Sequence, residues 1–185
     1  MALSIRWLSE NDWQDFRAVR LAALQEAPDA FGSTFAEESE RDEAQWRAEM
    51  QRAQRMVAER GGTVVGTMSV GEVADDPEAV DLFGLWVAPE ARNTGVSWRL
   101  VEAAAQQATE DGRSRMYYWV STENGRAIAF ATNFGFRPTG QRRAATVADE
   151  EFGDQEVALV LSLGSDPGVP NPTVPKLRSR PGPTG

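Results

Sequence analysis

Residues 85–100 read LWVAPEARNTGVSWRL, and this stretch carries the most informative pattern in the sequence. Its apolar beginning is typical of a buried strand, and the part after Gly95 has the apolar spacing of a helix. Arg92 precedes Gly95 by three residues, and the small Ser97 follows two residues later. The first N–H groups of a helix are unpaired, and the helix dipole adds positive potential there. The turn therefore predicts a site where main-chain N–H groups hold an anion such as a diphosphate.

Hydrophobic periodicity on both sides of this turn predicts further strands and helices. The predicted strands cover residues 3–8, 56–59, 63–70, 79–87, 116–120, 136–142 and 156–163. The predicted helices cover residues 13–27, 43–52, 95–109 and 124–133. Residues 30–40 have the composition of a loop that moves or lines a cleft. This order of elements predicts an α/β fold with a sheet of mixed direction.

The length of 185 residues, with 41% hydrophobic and 25% charged residues, is ordinary for one compact domain. We expect residues 1–163 to form that single domain. Residues 164–185 are rich in proline and glycine and lack apolar periodicity, so we expect a disordered tail. Lys176, Arg178 and Arg180 make this tail basic, and it either stays solvated or contacts an acidic surface.

The chain contains neither cysteine nor histidine. This composition excludes disulfides, thiol nucleophiles, imidazole bases and the usual ligand sets of zinc, copper and haem, so we expect no metal. Proton transfer then has to use carboxylates, tyrosines, water or the backbone. The sequence shows no apolar run with the length of a signal peptide or a membrane span, so we expect a cytoplasmic protein without a membrane partner.

The formal net charge of −9 bears on the choice of partner. Nucleic-acid binding relies on lysines and arginines that neutralise phosphates, so this charge argues against a nucleic-acid partner. A cationic substrate fits an acidic surface better, and the alternative is that the charge only keeps the protein in solution. Glu37, Glu38 and Glu40 in the 30–40 loop either attract such a substrate or form a solvated face.

Two blocks of the sequence resemble the GNAT family of N-acetyltransferases. The first block matches the family's strand–turn–helix motif at Leu85, Val87, Pro89, Glu90, Arg92 and Gly95. The second block resembles the family's helix after the fifth strand, with matches at Asn124, Ala127, Gly135 and Phe136. The resemblance covers about residues 3–163, and it is strongest over residues 79–142.

This resemblance implies a GNAT-type α/β fold, in which about four helices flank a mixed, central, splayed β-sheet of six to seven strands. It also implies acetyl-CoA as the co-substrate. The implied cofactor-binding residues are Leu85, Trp86, Val87, Arg92, Asn93, Thr94, Gly95, Val96, Ser97, Asn124, Ala127 and Phe130. Asn124 can also cap its helix, and the two roles can coexist.

The chain departs from the family pattern at three positions. Asn93 replaces a glycine, and Ser97 replaces a glycine or alanine, which makes the turn stiffer and more polar. Asparagine tolerates a left-handed backbone, so cofactor binding should survive. Ala131 stands where the family often carries the tyrosine that protonates the departing thiolate. We expect Tyr117, Tyr118 or water to supply this proton, and strand packing is the alternative role of both tyrosines.

The resemblance implies direct attack of the amine on the acetyl thioester in a ternary complex. In the family, the fourth and fifth strands splay apart, and unpaired backbone groups near Trp86 and Val87 bind pantetheine. The Val87 N–H then donates to the thioester oxygen, where negative charge develops. Asp81 is the first candidate to relay the proton of the amine, and a solvent-facing strand start is its alternative role.

The function predicted from these residues is transfer of an acetyl group from acetyl-CoA to a primary amine of a small molecule or protein. Antibiotics of the aminoglycoside type, polyamines, amino acids and protein amino groups all fit, and the resemblance permits a homodimer. A catalytically weak or inactive module that binds acyl-CoA as a sensor or scaffold is the alternative. A dinucleotide-binding protein would require a Gly-x-Gly-x-x-Gly turn in an early βαβ unit, and the sequence lacks one.

Overall fold

The structure of the protein is a computed structural model that describes residues 1–144 and 155–164. In these residues seven strands form one sheet: β1 Leu3–Leu8, β2 Gln54–Arg60, β3 Thr63–Val73, β4 Asp76–Val87, β5 Arg115–Ser121, β6 Arg137–Ala144 and β7 Gln155–Ser162. The α-helices are α1 Trp13–Glu26, α2 Phe35–Ser39, α3 Glu43–Arg52, α4 Val96–Glu110 and α5 Gly125–Phe134. No helix of these two ranges is long and apolar enough to span a membrane. Beyond Gly164, the predicted tail lies outside the described residues.

The sheet has the strand order β1-β2-β3-β4-β5-β7-β6. Neighbouring strands are antiparallel except β4 and β5, which run parallel. A parallel pair needs a crossover connection, and α4 supplies it. The predicted α/β fold with a sheet of mixed direction is confirmed.

Helices pack on both faces of the sheet and create two hydrophobic cores. α4 and α5 cover one face, where Leu100, Ala104 and Phe134 are buried. α1 and α3 cover the other face, where the rings of Phe16 and Trp46 meet edge to face with centroids 6.0 Å apart. Burial of each large apolar side chain stabilises the fold by about 1.5–3 kcal/mol. This packing therefore holds the groups at the strand ends of the sheet in fixed positions.

The apolar side chains of the first two long helices lie on the side that packs against the sheet. Phe16, Val19 and Ala23 are buried on the inner face of α1. Trp46 and Met50 are buried on the inner face of α3. A period of three to four residues places such positions on one side of a helix.

The prediction of a loop over residues 30–40 is wrong in its second half, because α2 occupies Phe35–Ser39. The Glu37 N–H donates to Thr34 Oγ1 at 3.2 Å, and the Thr34 N–H donates to the Glu37 carboxylate at 2.9 Å. This capping box fixes the start of the helix. A helix of five residues is too short to show an apolar period. Its sign in the sequence was the spacing of Thr34 and Glu37, which fits a capping box.

Glu38 on α2 is only 2% exposed and lies between two arginines. Arg20 of α1 donates to its carboxylate at 2.9 Å, and a guanidinium nitrogen of Arg41 lies 3.5 Å from it. Burial acts to raise the pKa of Glu38, but the Arg20 hydrogen bonds and both cations outweigh this and hold the pKa below its usual value. Glu38 is therefore not part of a solvated acidic face, and it anchors α2 to α1.

We expect Glu38→Gln to lower the free energy of unfolding by about 3 kcal/mol, because it leaves two arginines without their buried counter-charge. This decrease in the free energy of unfolding should be largest at pH 7 and become smaller in acid. A carboxyl group with a lowered pKa in the folded state stabilises the fold above its unfolded pKa, and this contribution disappears as the pH falls. Urea unfolding measures the effect. Glu40→Gln, at an exposed position, is the control, and equal losses in both variants contradict the anchoring role.

Candidate functional site

The parallel strands β4 and β5 separate toward their carboxyl ends. Their pairing runs only from Ala79 opposite Arg115 to Leu82 opposite Tyr118. Beyond this point β4 continues to Val87 beside β3, and β5 continues beside β7. The two strands leave a wedge-shaped opening, called the sheet gap below, in which the described residues place no strand. The splay implied by the family resemblance is therefore present.

A β-bulge in β4 lies where the sheet gap begins. Ser69 of β3 pairs with Phe83, but Thr67 pairs with Trp86, so β4 carries one extra residue between these pairs. Gly84 has a φ of +63°, a left-handed conformation that favours glycine. A bulge of this kind turns the backbone of the strand and increases its local twist. The bulge therefore helps β4 to leave β5.

After the bulge, alternate residues of β4 direct their backbone groups to opposite sides. The Ala88 N–H donates to the Val65 carbonyl of β3 at 2.9 Å. Hydrogen-bonded and non-hydrogen-bonded pairs alternate in an antiparallel ladder, so Trp86 also faces β3, whereas Leu85 and Val87 face the sheet gap. The predicted backbone contacts of Leu85 and Val87 fit this geometry. The predicted backbone contact of Trp86 does not fit, because its backbone groups face β3. The Trp86 indole packs in the core beside α1.

The turn after β4 leaves the first turn of α4 open. A short 3₁₀ turn at Pro89–Ala91 leads to Asn93, with a φ of +61°, and to Gly95, with a φ of +88°. A Cβ at Gly95 would meet no atom of the described residues within 4 Å. The Arg99 N–H donates to the Gly95 carbonyl at 3.1 Å, which closes the first turn of the helix. The N–H groups before Arg99 lack helical acceptors and are free for an anion.

The side chains of this turn are held by their neighbours and leave the helix end uncovered. Thr94 Oγ1 donates to the Ala91 carbonyl at 2.6 Å and accepts a hydrogen bond from Arg60 at 3.1 Å. The Val96 side chain is buried in the core, so this residue offers only its N–H. Ser97 is half-buried in the first helical turn. The structure thus brings the predicted residues of the turn together around one open corner.

Arg92 has a more constrained position than the sequence indicated. Its Nε donates to the Val87 carbonyl at 3.1 Å, and its Nη2 donates to the Glu26 carboxylate at 2.6 Å. Glu26, at the end of α1, also accepts a hydrogen bond from the Trp86 indole at 3.0 Å. The Trp86 and Arg92 hydrogen bonds lower the pKa of Glu26. The Arg92 charge is therefore shared with Glu26, which sequence reasoning missed because 66 positions separate the two residues.

The start of α5 shows the capping role of Asn124. Its Oδ1 accepts a hydrogen bond from the Ala127 N–H at 3.0 Å, while the side chain remains exposed. Phe130 is half-buried, and its ring centroid lies 6.4 Å from that of Trp98 on α4. Ala131 is fully buried in the core beneath α5. This position therefore contributes packing and no proton donor, and the cofactor contacts of α5 stay predictions.

The sheet face opposite α4 and α5 carries two cavities that meet at Asp81. The larger cavity, of about 530 Å³, is lined by residues of α1, α2, α3, β2, β3 and β4. The smaller cavity, of about 260 Å³, is lined by residues of β3, β4, β5 and β6. Tyr117 lies opposite Asp81 in the pairing of β4 with β5, and it lines the smaller cavity with Trp119. Asp81 is therefore accessible from both cavities.

Asp81 is half-buried, which does not support its alternative role as a solvent-facing residue. Its Oδ1 is buried and finds no hydrogen-bond partner among residues 1–144 and 155–164. Burial raises the pKa of Asp81, while the Arg143 charge and the Trp119 side chain act in the opposite direction. Asp81 lines both cavities one residue before the pairing of β4 with β5 ends, and a carboxylate at such a position is suited to accept a proton from an entering amine.

The structure separates the two candidate tyrosines. Tyr117 lines the smaller cavity with Asp81, whereas Tyr118 points to the opposite face of the sheet. The ring of Tyr118 packs against Phe136 with centroids 6.2 Å apart. Burial raises the pKa of Tyr118 to about 12, and the Glu156 charge adds to this effect. Tyr117 is therefore the tyrosine that the fold brings to Asp81.

Comparison with known proteins agrees with this geometry. Residues 20–136, more than half of the chain, match the model of the acetyltransferase (GNAT) family. N-acetyltransferase 8F1 of Rattus norvegicus is 34% identical over 89 residues, which are 46% of this chain and 40% of that protein. N-acetyltransferase 8 of Mus musculus is 32% identical over 88 residues, which are 46% of this chain and 39% of that protein. Each match thus spans less than half of the curated relative.

Solved structures show the same fold at low sequence identity. A GNAT-family acetyltransferase from Streptococcus pneumoniae superposes with a TM-score of 0.71 at 18% identity, over 88% of this chain and 100% of that one. A putative acetyltransferase from Salmonella typhimurium, solved with its cofactor acetyl-CoA, has a TM-score of 0.69 at 19% identity, over 93% and 99%. Because the family model also matches residues 20–136, the chain belongs to the GNAT acetyltransferase family.

Proposed function

We propose that the protein transfers the acetyl group of acetyl-CoA to a primary amine by direct attack in a ternary complex. The observation that carries this proposal is the sheet gap, which lies between an open helix end and the cavities that contain Asp81. Groups on one side of the gap can hold the thioester, and the cavities can admit the amine. Membership of the GNAT family supports acetyl-CoA as the co-substrate.

The open end of α4 supplies the diphosphate site. The free N–H groups of Val96 and Ser97 and the positive end of the helix dipole attract the negative charges. Gly95 leaves the space above these N–H groups free. The Leu85 backbone groups that face the sheet gap then hydrogen-bond the pantetheine arm, much as an added strand would. The Val87 carbonyl already accepts a hydrogen bond from Arg92.

The chemistry proposed at the gap uses one donor and one base. The Val87 N–H donates to the thioester oxygen while the amine nitrogen attacks the carbonyl carbon and the carbon–sulfur bond breaks. A donor fixed at such a position typically contributes about 10²–10³ in rate. Asp81 lies six residues before Val87 on β4, so water molecules relay to it the proton that the ammonium group must lose. Burial raises the pKa of Asp81, which makes it a stronger base than an exposed aspartate.

We expect Tyr117→Phe to lower kcat by about 10-fold, because the Tyr117 hydroxyl donates a proton to the departing thiolate, which also leaves tolerably well unaided. Affinity for acetyl-CoA should stay the same, because the diphosphate site lies at the other side of the sheet gap. Tyr118→Phe is the matched control on the opposite face and should leave kcat unchanged. Thiol release at saturating substrates measures both variants. A loss confined to Tyr118→Phe contradicts the role of Tyr117.

The proposed activity is tested by incubating the full chain with acetyl-CoA and amines of several classes: amino acids, polyamines, aminoglycosides and a lysine-containing peptide. Thiol release above the amine-free background, with an acetylated product in the mass spectrum, supports acetyl transfer. Binding of acetyl-CoA in calorimetry without thiol release from any amine supports the alternative, a sensor or scaffold that binds acyl-CoA. No heat on addition of acetyl-CoA refutes both functions.

The setting of the reaction is proposed from the sequence alone. The net charge of −9 disfavours a nucleic-acid partner, and we propose action in the cytoplasm, without a membrane partner, on a small molecule or protein. A homodimer is compatible with the family and awaits a measurement of mass in solution. The larger cavity is not uniformly acidic, so its lining does not match the purely cationic substrate predicted from the same charge.

A further inference from the structure

The larger cavity is positive at one end and negative at the other. Its end at α1, α2 and α3 carries two more positive charges than negative ones, and its charged residues are Arg20, Arg41, Arg52, Arg55, Glu38 and Glu49. Its end at β3 and β4 contains Glu72 and Asp81. Arg113 binds the Glu72 carboxylate at 2.7 Å, whereas Asp81 has no ion pair within residues 1–144 and 155–164. A purely cationic substrate does not complement such a cavity.

Arg55 of β2 is the buried cation of the positive end, with 6% of its side chain exposed. Its Nη1 donates to Ser69 Oγ at 2.8 Å, and its Nη2 donates to the Glu49 carbonyl at 2.9 Å. Its Nε finds no acceptor in the part of the chain that the structure describes. Burial lowers the pKa of Arg55 to about 10, and the Glu49 carboxylate, 3.5 Å away, compensates only in part. Arg55 is therefore a buried cation with a free donor and too little negative charge around it.

The strand register places Arg55 and Asp81 on one face, in adjacent rows of the sheet. Arg55, Ser69 and Phe83 oppose one another across β2, β3 and β4, and Gly71 with Asp81 forms the next row. The Arg55 guanidinium carbon lies 5.3 Å from the centroid of the Phe83 ring, so the cation reaches toward β4. A Cβ at Gly71 would come within 3.0 Å of this ring. Glycine therefore keeps the cavity floor open between the two charges.

We propose that the larger cavity binds an acceptor that carries a carboxylate as well as its amine, with Arg55 holding the carboxylate and Asp81 facing the amine. The inference rests on the proposed acetyl transfer, because it takes Asp81 as the proton acceptor. Hydrogen bonds between arginine and carboxylate are short, directional and strong. Phe83, which is 42% exposed, offers an apolar surface between the two charged groups. Free amino acids fit this description, whereas polyamines and aminoglycosides leave Arg55 without an anion.

The test compares acceptors that differ only in the charged carboxylate. Phenylalanine, methionine and lysine are each supplied as the free acid and as the amide, and thiol release gives kcat/KM. The amino group of an amide is less basic, so intrinsic reactivity at neutral pH favours the amide. We expect the free acids to exceed the amides by at least about 10-fold, because an amide leaves the buried guanidinium without its partner. Equal values, or a preference for the amides, overturn the inference and leave acetyl transfer intact.

Variants of Arg55 show whether this residue causes the preference. Arg55→Met should lower kcat/KM for the free acids by about 10²-fold or more and leave the amides within about 3-fold. Arg55→Lys should retain part of the preference, because it keeps the charge and loses the planar fork. Arg47→Gln is the matched control, since Arg47 pairs with Glu43 at 2.8 Å and lies outside the cavity. Parallel losses for acids and amides in Arg55→Met overturn the role of Arg55.

Two further measurements distinguish three outcomes: a variant that does not fold, a protein that does not transfer acetyl groups, and a cavity that does not bind a carboxylate. Acetyl-CoA affinity should be the same in every variant, which shows that each variant is folded. If no acceptor releases thiol, acetyl transfer is refuted, and calorimetry with phenylalanine and its amide on the chain saturated with coenzyme A decides the inference. Binding of the free acid alone supports the carboxylate site. Equal binding of both, or binding of neither, overturns it.

Discussion

Gly95→Val is expected to weaken acetyl-CoA binding by at least about 100-fold, which corresponds to about 2.8 kcal/mol. The φ of +88° at Gly95 lies in the left-handed region, where a β-branched residue is strained. Its side chain would also occupy the free space through which the diphosphate reaches the N–H groups of α4. Backbone strain and obstruction by the valine side chain therefore both weaken the contact between the diphosphate and the N–H groups of α4. Isothermal titration calorimetry with acetyl-CoA measures the change.

Gly112→Val provides the control that separates backbone strain from obstruction. Gly112 follows the other end of α4 with a φ of +77°, and a Cβ there would also meet none of the described atoms within 4 Å. The strain is similar, but no ligand is proposed at this end. We expect a comparable loss of stability with unchanged affinity for acetyl-CoA. If both variants lose affinity equally, strain explains the effect and the diphosphate site is wrong.

Asp81→Asn is expected to lower kcat/KM by about 10²–10⁴-fold without a change in acetyl-CoA affinity, because the variant cannot accept the proton of the amine. Wild-type kcat/KM should fall in acid as Asp81 takes up a proton. Burial raises the pKa of Asp81, so this fall should occur above the usual range of an aspartate and be absent from the residual activity of the variant. Asp75→Asn, at an exposed position outside both cavities, is the control. An unchanged acid limb in Asp81→Asn contradicts the base role.

The same Asp81→Asn substitution should stabilise the fold at neutral pH. The raised pKa means that the folded state retains the Asp81 proton to a higher pH than the unfolded chain does. Stability contributed by this group is therefore complete below the unfolded pKa and is lost as the pH rises through the raised folded pKa. Thermal unfolding from acid to neutral pH should show a gain for the variant only at the upper end. A lower melting temperature at neutral pH contradicts the view that Asp81 carries an unfavourable buried charge for the sake of activity.

The strand, turn and helix from β4 to α4 could be predicted because their signal is local. A buried strand, a turn and an amphipathic helix follow one another within residues 85–100. Gly95 and Asn93 are the residue types that tolerate the positive φ angles found there. The bulge at Gly84 was also within reach, because an isolated glycine inside a strand pattern often marks one. Each of these features depends on residues that are neighbours in the chain.

The charge distribution of the larger cavity could not be predicted because it depends on residues that are distant in the sequence. Arg55 precedes the predicted strand 56–59 and had no reason to be read as buried; it is covered only when Phe16 and Ser69 meet it in the fold. The overall charge of −9 pointed to a cationic substrate, yet arginines converge on one end of this cavity. Net charge describes the whole surface, whereas binding depends on the few groups that line one cavity.

The separation of β4 from β5 also affects the cohesion of the whole molecule. Among residues 1–144 and 155–164, only the short parallel pairing from Ala79 to Leu82 joins a panel of strands β1–β4 to a panel of strands β5–β7 within the sheet. A ligand bound in the sheet gap contacts both panels and stabilises the sheet for as long as it stays bound. For a ligand that binds only the folded chain, such bridging adds about 2.7 kcal/mol at a concentration 100 times its Kd. For the proposed co-substrate, we expect resistance to unfolding and to proteolysis to rise and fall with the supply of activated two-carbon units.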